Sequence, residues 1–349
     1  MRAREFLFES DLTGEELKKE IIQSVRQETD EELLDRVHQA LSHNNVKPKI
    51  VSAFTASGAN SRLGNMDKVI EDMTKYVSNL PGNSRSKLEF LETLEKGNAV
   101  DVGALLSPAS TFDLIFPMPF AKTFFRGIIK YGAGSKLKGP GEFALAIMSP
   151  SIKLAEKGDL EINGKNVEVK TADASLKGGR LGDPSTSPTR QAIVNNIVGN
   201  LDKLIQDEGQ KQEAIDFFKS KKSIALTQFV AELHVRIKDS KHIAKIVSDV
   251  VSLTFNTSMG NAVGNAASTD SSGKTAEVEF MAQNFNWYKK NEGWTDLLTI
   301  NVPGERTFNI ASSDILRDYR LKGLLGSPSV SIIPSKPHEL YAQIVFTKK

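Results

Sequence analysis

The run Gly158-Asp159-Leu160-Glu161-Ile162-Asn163-Gly164-Lys165-Asn166-Val167-Glu168-Val169-Lys170-Thr171 holds two carboxylates and a lysine at a spacing that could do chemistry. Asn163-Gly164 signals a two-residue type I′ turn, because both central positions need positive φ. Such a turn fixes the register. Asp159 faces Glu168, and Leu160 faces Val167. Leu160, Val167 and Val169 then share one face, and Asp159, Glu168 and Lys170 share the other. A four-residue loop keeps these faces, whereas a three-residue loop does not. Carboxylates directly opposed on antiparallel strands repel, with Cβ atoms only about 4.5–5.5 Å apart. In a cleft, a cation between them removes that penalty. Asp159 and Glu168 are therefore placed to share a divalent metal, and the Val169 carbonyl could add an oxygen ligand. Lys170 beside them could orient a water or stabilise negative charge developing on a phosphate. Glu161 falls on the Asp159 face but opposes Asn166. On a solvent-facing hairpin the same charges would serve solubility alone.

Composition narrows the chemistry. The chain has no cysteine, which excludes disulfides, thiolate zinc sites and cysteine nucleophiles. Its five histidines (His38, His43, His234, His242, His338) show no tight ligand spacing. A metal site must then be built from carboxylates, which favours Mg²⁺, with Mn²⁺ able to substitute. No P-loop, dinucleotide fingerprint or GxSxG elbow occurs, so nucleotide-driven work, nicotinamide chemistry and serine hydrolysis are poor expectations. No apolar run approaches the roughly 20 residues of a membrane helix, and MRAREFLFESD lacks a secretory apolar region. The expectation is a soluble, cytoplasmic protein.

The segment GDLEINGKNVEVK resembles the core of the PD-(D/E)XK nuclease superfamily. There an Asp begins or ends one strand and a Glu-x-Lys lies on its neighbour. The matching positions are Asp159, Glu168 and Lys170; Gly158 stands where the family name has proline. Many members add an acidic residue on a preceding helix, and Glu142, in Gly139-Pro140-Gly141-Glu142, matches that element. The resemblance spans about residues 85–190. It implies a restriction-endonuclease-like α/β fold, a mixed β-sheet core flanked by helices. It also implies Mg²⁺-dependent hydrolysis of DNA, with Asp159, Glu168, Glu142 and the Val169 carbonyl as ligands. Glu142 also has a plainer reading, as a carboxylate favoured by the helix dipole. The opening MRAREFLFE resembles the start of many tailed-phage proteins, which would place the chain in an infected bacterial cell. Alternatives of other classes are a non-catalytic nucleic-acid-binding or virion protein on the same fold, and a nuclease for branched junctions or RNA.

Charge is uneven although the net charge is only +2. Residues 1–36 hold eleven acidic against six basic side chains (6 − 11 = −5), and residues 121–190 hold twelve basic against seven acidic (12 − 7 = +5). A basic middle suits a polyanion such as DNA, or is an ordinary solvated surface. Lys177-Gly178-Gly179-Arg180 joins cations to backbone open enough to approach a phosphate. Lys136, Lys138 and Arg190 are further candidate DNA contacts, with Ser185, Thr186, Ser187 and Thr189 as added donors.

The elements that must position these residues follow from patterning. Apolar spacing predicts a helix over residues 12–42, with Thr13 and Glu16 as a capping box. Its opposite face is densely charged, so it needs a partner: its own domain, another helix, or a second copy in a homodimer. Residues 55–65 read as a loop, 66–79 and 86–96 as helices, and 81–86 as a linker. At 349 residues the chain exceeds the usual size of one core. The expected division is an N-terminal helical region, residues 1–85, and a nuclease domain, residues 86–349, with its core at about 100–250. Within it, 100–106 reads as a strand and 108–121 as an irregular apolar core segment. A short helix runs from Glu142 to Met148, a hairpin over 159–171 and a polar loop over 172–190. Helices follow at 190–220 and 224–250, and a small-residue loop at 255–275. Strands are expected near 296–302, 306–310, 329–333 and 340–347. His234, Trp287, Tyr288 and Trp294 read as packing residues rather than a base or base-stacking platform.

Overall fold

A computed structural model describes residues 47–48, 50–52, 55, 66–79, 84–131, 139–172, 176–181, 188–328, 330–333 and 341–347. The expected helix over 12–42 and nearly all of the 55–65 loop lie outside these residues, as do Lys136, Lys138, Ser185, Thr186 and Ser187. The described chain is a mixed α/β protein in two compact units. One comprises the described residues up to Leu105 together with Thr111–Gly164; the other comprises Leu106–Ser110 and the chain from Lys165 onward. The chain passes from the first unit to the second at Gly164–Lys165.

The first unit is mainly helical. Its helices are α1 (Met66–Ser78), α2 (Ser84–Glu95), α3 (Val102–Leu105), α4 (Phe112–Ile115), α5 (Pro119–Tyr131) and α6 (Pro140–Met148). α1 and α2 stand where apolar spacing placed them. The expected strand over 100–106 is instead the single turn α3, because the Asp101 carboxylate accepts from the Ala104 amide at 2.9 Å and starts a helix there. The segment 108–121, expected as irregular core, is ordered and only partly buried: Phe112, Ile115, Phe116 and Ala121 are in the core, whereas Leu114 is exposed. Phe112, Phe116 and Phe125 pack edge-on and tilted within 5.5 Å of one another, and Pro119 opens α5. Strands β2 (Ile152–Leu154) and β3 (Leu160–Ile162) pair antiparallel, with Lys153 opposite Glu161.

The second unit contains a mixed sheet ordered β1 (Ala109–Thr111), β8 (Arg306–Ile310), β7 (Asp296–Asn301), β4 (Lys165–Ala172). β4 and β7 are parallel, from Val167 opposite Asp296 to Ala172 opposite Asn301; β7 and β8 are antiparallel. A parallel pair needs a long crossover. Here it is α7 (Arg190–Leu204), α8 (Glu208–Ser220), α9 (Leu226–Arg236), α10 (Ser240–Ser252), α11 (Thr257–Thr269) and α12 (Lys274–Glu292); α13 (Ser313–Leu321) follows β8. Two small ribbons complete the unit: β5 (Lys177–Leu181) with β10 (Ala342–Val345), and β6 (Ile224–Ala225) with β9 (Ser331–Ile333).

Two regions read as loops are regular. Residues 177–181 of the expected polar loop are strand β5. Gly178 admits Ile344 of β10 so closely that an added Cβ would meet its Cβ at 3.2 Å. The small-residue run at 255–275 is mostly α11, capped by Asn256, whose side chain accepts from the Met259 amide at 2.9 Å. Its glycines face α10. A Cβ on Gly260 or Gly264 would stand well under 3.0 Å from the Ser248 or Ala244 carbonyl oxygen. These small residues let two helices touch backbone to backbone. The helices expected at 190–220 and 224–250 are each broken in two, by caps at Asp207 and Asp239.

Candidate functional site

The local chain geometry around the predicted motif is as expected. Asn163 and Gly164 both have positive φ, 51° and 76°, between β3 and β4. Gly158 has φ 65°. Proline is locked near −65° and could not occupy it. The backbone at this position therefore excludes proline. Asp159 is half-buried and ends the bend before β3, where its carbonyl accepts from the Ala155 amide at 3.0 Å.

Glu142 lies in the first turn of α6 and is buried. Pro140 sits at the start of that helix. A Cβ added at Gly139 would stand 2.7 Å from Glu142 Oε2, so the carboxylate folds back over the N-terminal cap. There the helix dipole favours a negative charge. Asp159 and Glu142 belong to the first unit, and Glu168 and Lys170 to the second.

In the second unit the structure brings Glu168 and Lys170 together. They are two residues apart on β4, so both point to the same face. Glu168 is 5% exposed, which rules out the solubility reading for it. Its Oε1 accepts from Lys170 Nζ at 2.5 Å and from the Tyr288 hydroxyl of α12 at 2.7 Å. Lys170 Nζ also lies 5.4 Å from the Tyr288 ring centroid, within reach of a cation–π attraction. Val169 between them is buried and pairs with Leu298 of β7. Both donors converge on Oε1.

A buried ion pair is weak evidence of stability, since desolvation offsets most of its Coulomb attraction. Tyr288 is the residue that sequence reasoning passed over as packing. Its ring does pack, 5.7 Å from Trp294, but its hydroxyl is committed to Glu168. Local sequence held no signal for it, because its partner is 120 residues away. The packing readings stand for the others: Trp294 is 2% exposed, Trp287 packs on Phe255 at 5.2 Å, and His234 Nε2 bonds the Ala267 carbonyl at 2.8 Å.

The donor set suits a hard cation. It is all oxygen, with no thiolate anywhere in the chain and no imidazole on Glu168. Among the described residues, no group of three or more His, Asp or Glu side chains is close enough to hold a metal by itself. Mg²⁺ does not require such a cage. It binds through one or two carboxylates, with waters and substrate phosphates completing its shell.

The candidate DNA contacts divide. Lys177 and Arg180 are exposed on β5, and the Arg180 guanidinium stacks 4.6 Å from the Tyr341 ring. Arg190 is committed elsewhere: its Nη2 donates to the Lys221 carbonyl at the end of α8. Thr189 is likewise structural, capping α7 through the Ala192 amide at 3.2 Å.

Compared with family models, with curated proteins and with solved structures, the chain finds no match in any of the three.

Proposed function

We propose that this protein is a metal-dependent DNA endonuclease whose centre is the Glu168–Lys170 pair. One observation carries the reading. A buried carboxylate and a half-buried ammonium, two residues apart on β4, pair at 2.5 Å. The sequence resemblance supplies the rest of the assignment, Asp159 and Glu142 as further carboxylates.

Glu168 would hold a Mg²⁺ ion; Asp159, the Val169 carbonyl and Glu142 are the further ligands that the sequence resemblance implies. Bound there, the ion supplies Lewis-acid polarisation of the scissile phosphate and a lowered pKa for water. Lys170 orients the attacking water or meets the negative charge that develops on the phosphate. Lys177 and Arg180 on β5 contact the sugar-phosphate backbone and set its position without reading sequence.

The test is incubation of the full chain with supercoiled plasmid and with single-stranded DNA, in Mg²⁺ or Mn²⁺. EDTA and Lys170→Ala serve as controls. Nicking that depends on metal and is lost in both controls is the expected result. If neither DNA is cut, junction DNA and RNA come next. Tight binding of DNA with no turnover on any of these would replace the reading with a non-catalytic nucleic-acid-binding protein.

A further inference from the structure

We infer that Tyr288 is a positioning residue of this site: its hydroxyl fixes the Glu168 carboxylate and its ring holds the Lys170 ammonium. The inference deepens the nuclease reading and rests on it only for its kinetic arm.

The geometry is specific on three counts. First, the Tyr288 hydroxyl and Lys170 Nζ reach the same oxygen, Glu168 Oε1, at 2.7 and 2.5 Å. Two donors on one oxygen restrict the rotation of the carboxylate. Second, the ring that carries the hydroxyl also lies 5.4 Å from Lys170 Nζ, so one side chain addresses both members. Third, the ring has little freedom. It stacks edge-on against Trp294 at 5.7 Å, and Trp294 packs on Phe285 at 5.1 Å. Phe285 and Trp294 are both buried, so the tyrosine is aimed by the core. A carboxylate that must present one oxygen to a cation benefits from such a fixed outer partner.

Lys170 side-chain exposure is 16% against 49% for Lys165 on the same strand, so Lys165 is an internal reference for amine reactivity. The experiment uses the full chain in EDTA, without DNA. Lysines are acetylated, and modification of Lys170 relative to Lys165 is read by peptide mass spectrometry. Tyr288→Phe keeps the ring and removes the hydroxyl. Because it keeps the ring that faces Lys170, it should leave the relative Lys170 rate within about twofold of wild type. Tyr288→Leu removes the ring as well and should raise that rate about fivefold, the ratio expected from losing one cation–π contact. In the kinetic arm, Tyr288→Phe should lower kcat by about 10–100-fold with KM unchanged, as loss of an outer partner of a metal ligand does. Unchanged Lys170 reactivity in Tyr288→Leu overturns the inference, whatever the kinetics. A wild-type protein that cuts no nucleic acid sinks the nuclease reading alone, because the reactivity arm needs neither metal nor substrate.

Discussion

The methylene chain of Lys170 lies across the bare Cα of Gly179: a Cβ there would stand well under 3.0 Å from Lys170 Cδ. Strand β5 therefore forms a floor under the lysine, and any residue larger than glycine there would displace the lysine's methylenes.

Gly179→Ala should separate function from stability. The atom it strikes is part of a flexible side chain, which can swing aside at little expense. Stability should change by less than about 1 kcal/mol, the range of a substitution met by side-chain adjustment. The ammonium, however, must leave its place at Glu168 Oε1. Nuclease activity should fall about 10–100-fold, the loss typical when a catalytic group is displaced by about an ångström. Thermal unfolding beside plasmid nicking decides this. An unchanged nicking rate would mean that Lys170 need not sit where it is.

Gly260→Ala and Gly264→Ala should do the reverse. Their added Cβ atoms meet backbone carbonyls of Ser248 and Ala244, and α10 cannot move one carbonyl alone. Each should destabilise the chain by about 1–3 kcal/mol, as overpacking does. Activity per folded molecule should be retained, since neither helix carries a proposed site residue. Urea unfolding with active-site titration of the folded fraction measures both quantities.

Charge removal on β5 should be legible in salt dependence. Arg180→Ala and Lys177→Ala each delete an exposed cation. If these contact phosphate, DNA affinity in EDTA drops, and the slope of log affinity against log salt becomes shallower by about 0.7–0.9 per lost contact. Arg190→Ala should leave that slope alone and instead lower stability, because its guanidinium ties the start of α7 to the Lys221 carbonyl. Fluorescence anisotropy across a salt series distinguishes the two classes. An Arg190→Ala slope that shifts like Arg180→Ala would return Arg190 to the DNA-contact set.

What the sequence could show depended on distance along the chain. The Asn163-Gly164 turn, the Glu168–Lys170 spacing and the strands β7 and β8 are local patterns, and each is where it was expected. Glycine was misread twice, as flexibility at 177–181 and at 255–275. In both places its role is close approach, to Lys170 and Ile344 in one case and to α10 in the other. Helix α12 went unseen for a different reason. Its buried face carries the polar Glu277 and Asn284 beside Phe280, Met281, Ala282 and Phe285, which blurs the helical period of its apolar residues. Tyr288 lies on that helix, so its pairing with Glu168 was invisible to any local reading. Glu142 was placed on the right helix, but its carboxylate is turned to the helix cap at Gly139.

Asp270 gives a prediction in pH. Its carboxylate accepts from the amides of Ser272 and Thr275 at 2.9 and 3.0 Å and from the Thr275 hydroxyl at 3.0 Å. The Thr275 amide first, and then Ser272, hold its pKa well below the usual carboxylate value. The sign follows from linkage. The folded state prefers the ionised form, so the stabilisation is complete above the unfolded pKa, near 3.9, and is lost as pH falls below it. Asp270→Ala should therefore cost about 1–2 kcal/mol at neutral pH, the usual penalty for losing such a cap. The gap between wild type and variant should narrow as pH drops below about 4. Denaturant unfolding at pH 7, 5 and 3 reads this directly. A gap that stays constant across that range would show that the carboxylate's charge contributes nothing to holding the turn before α12.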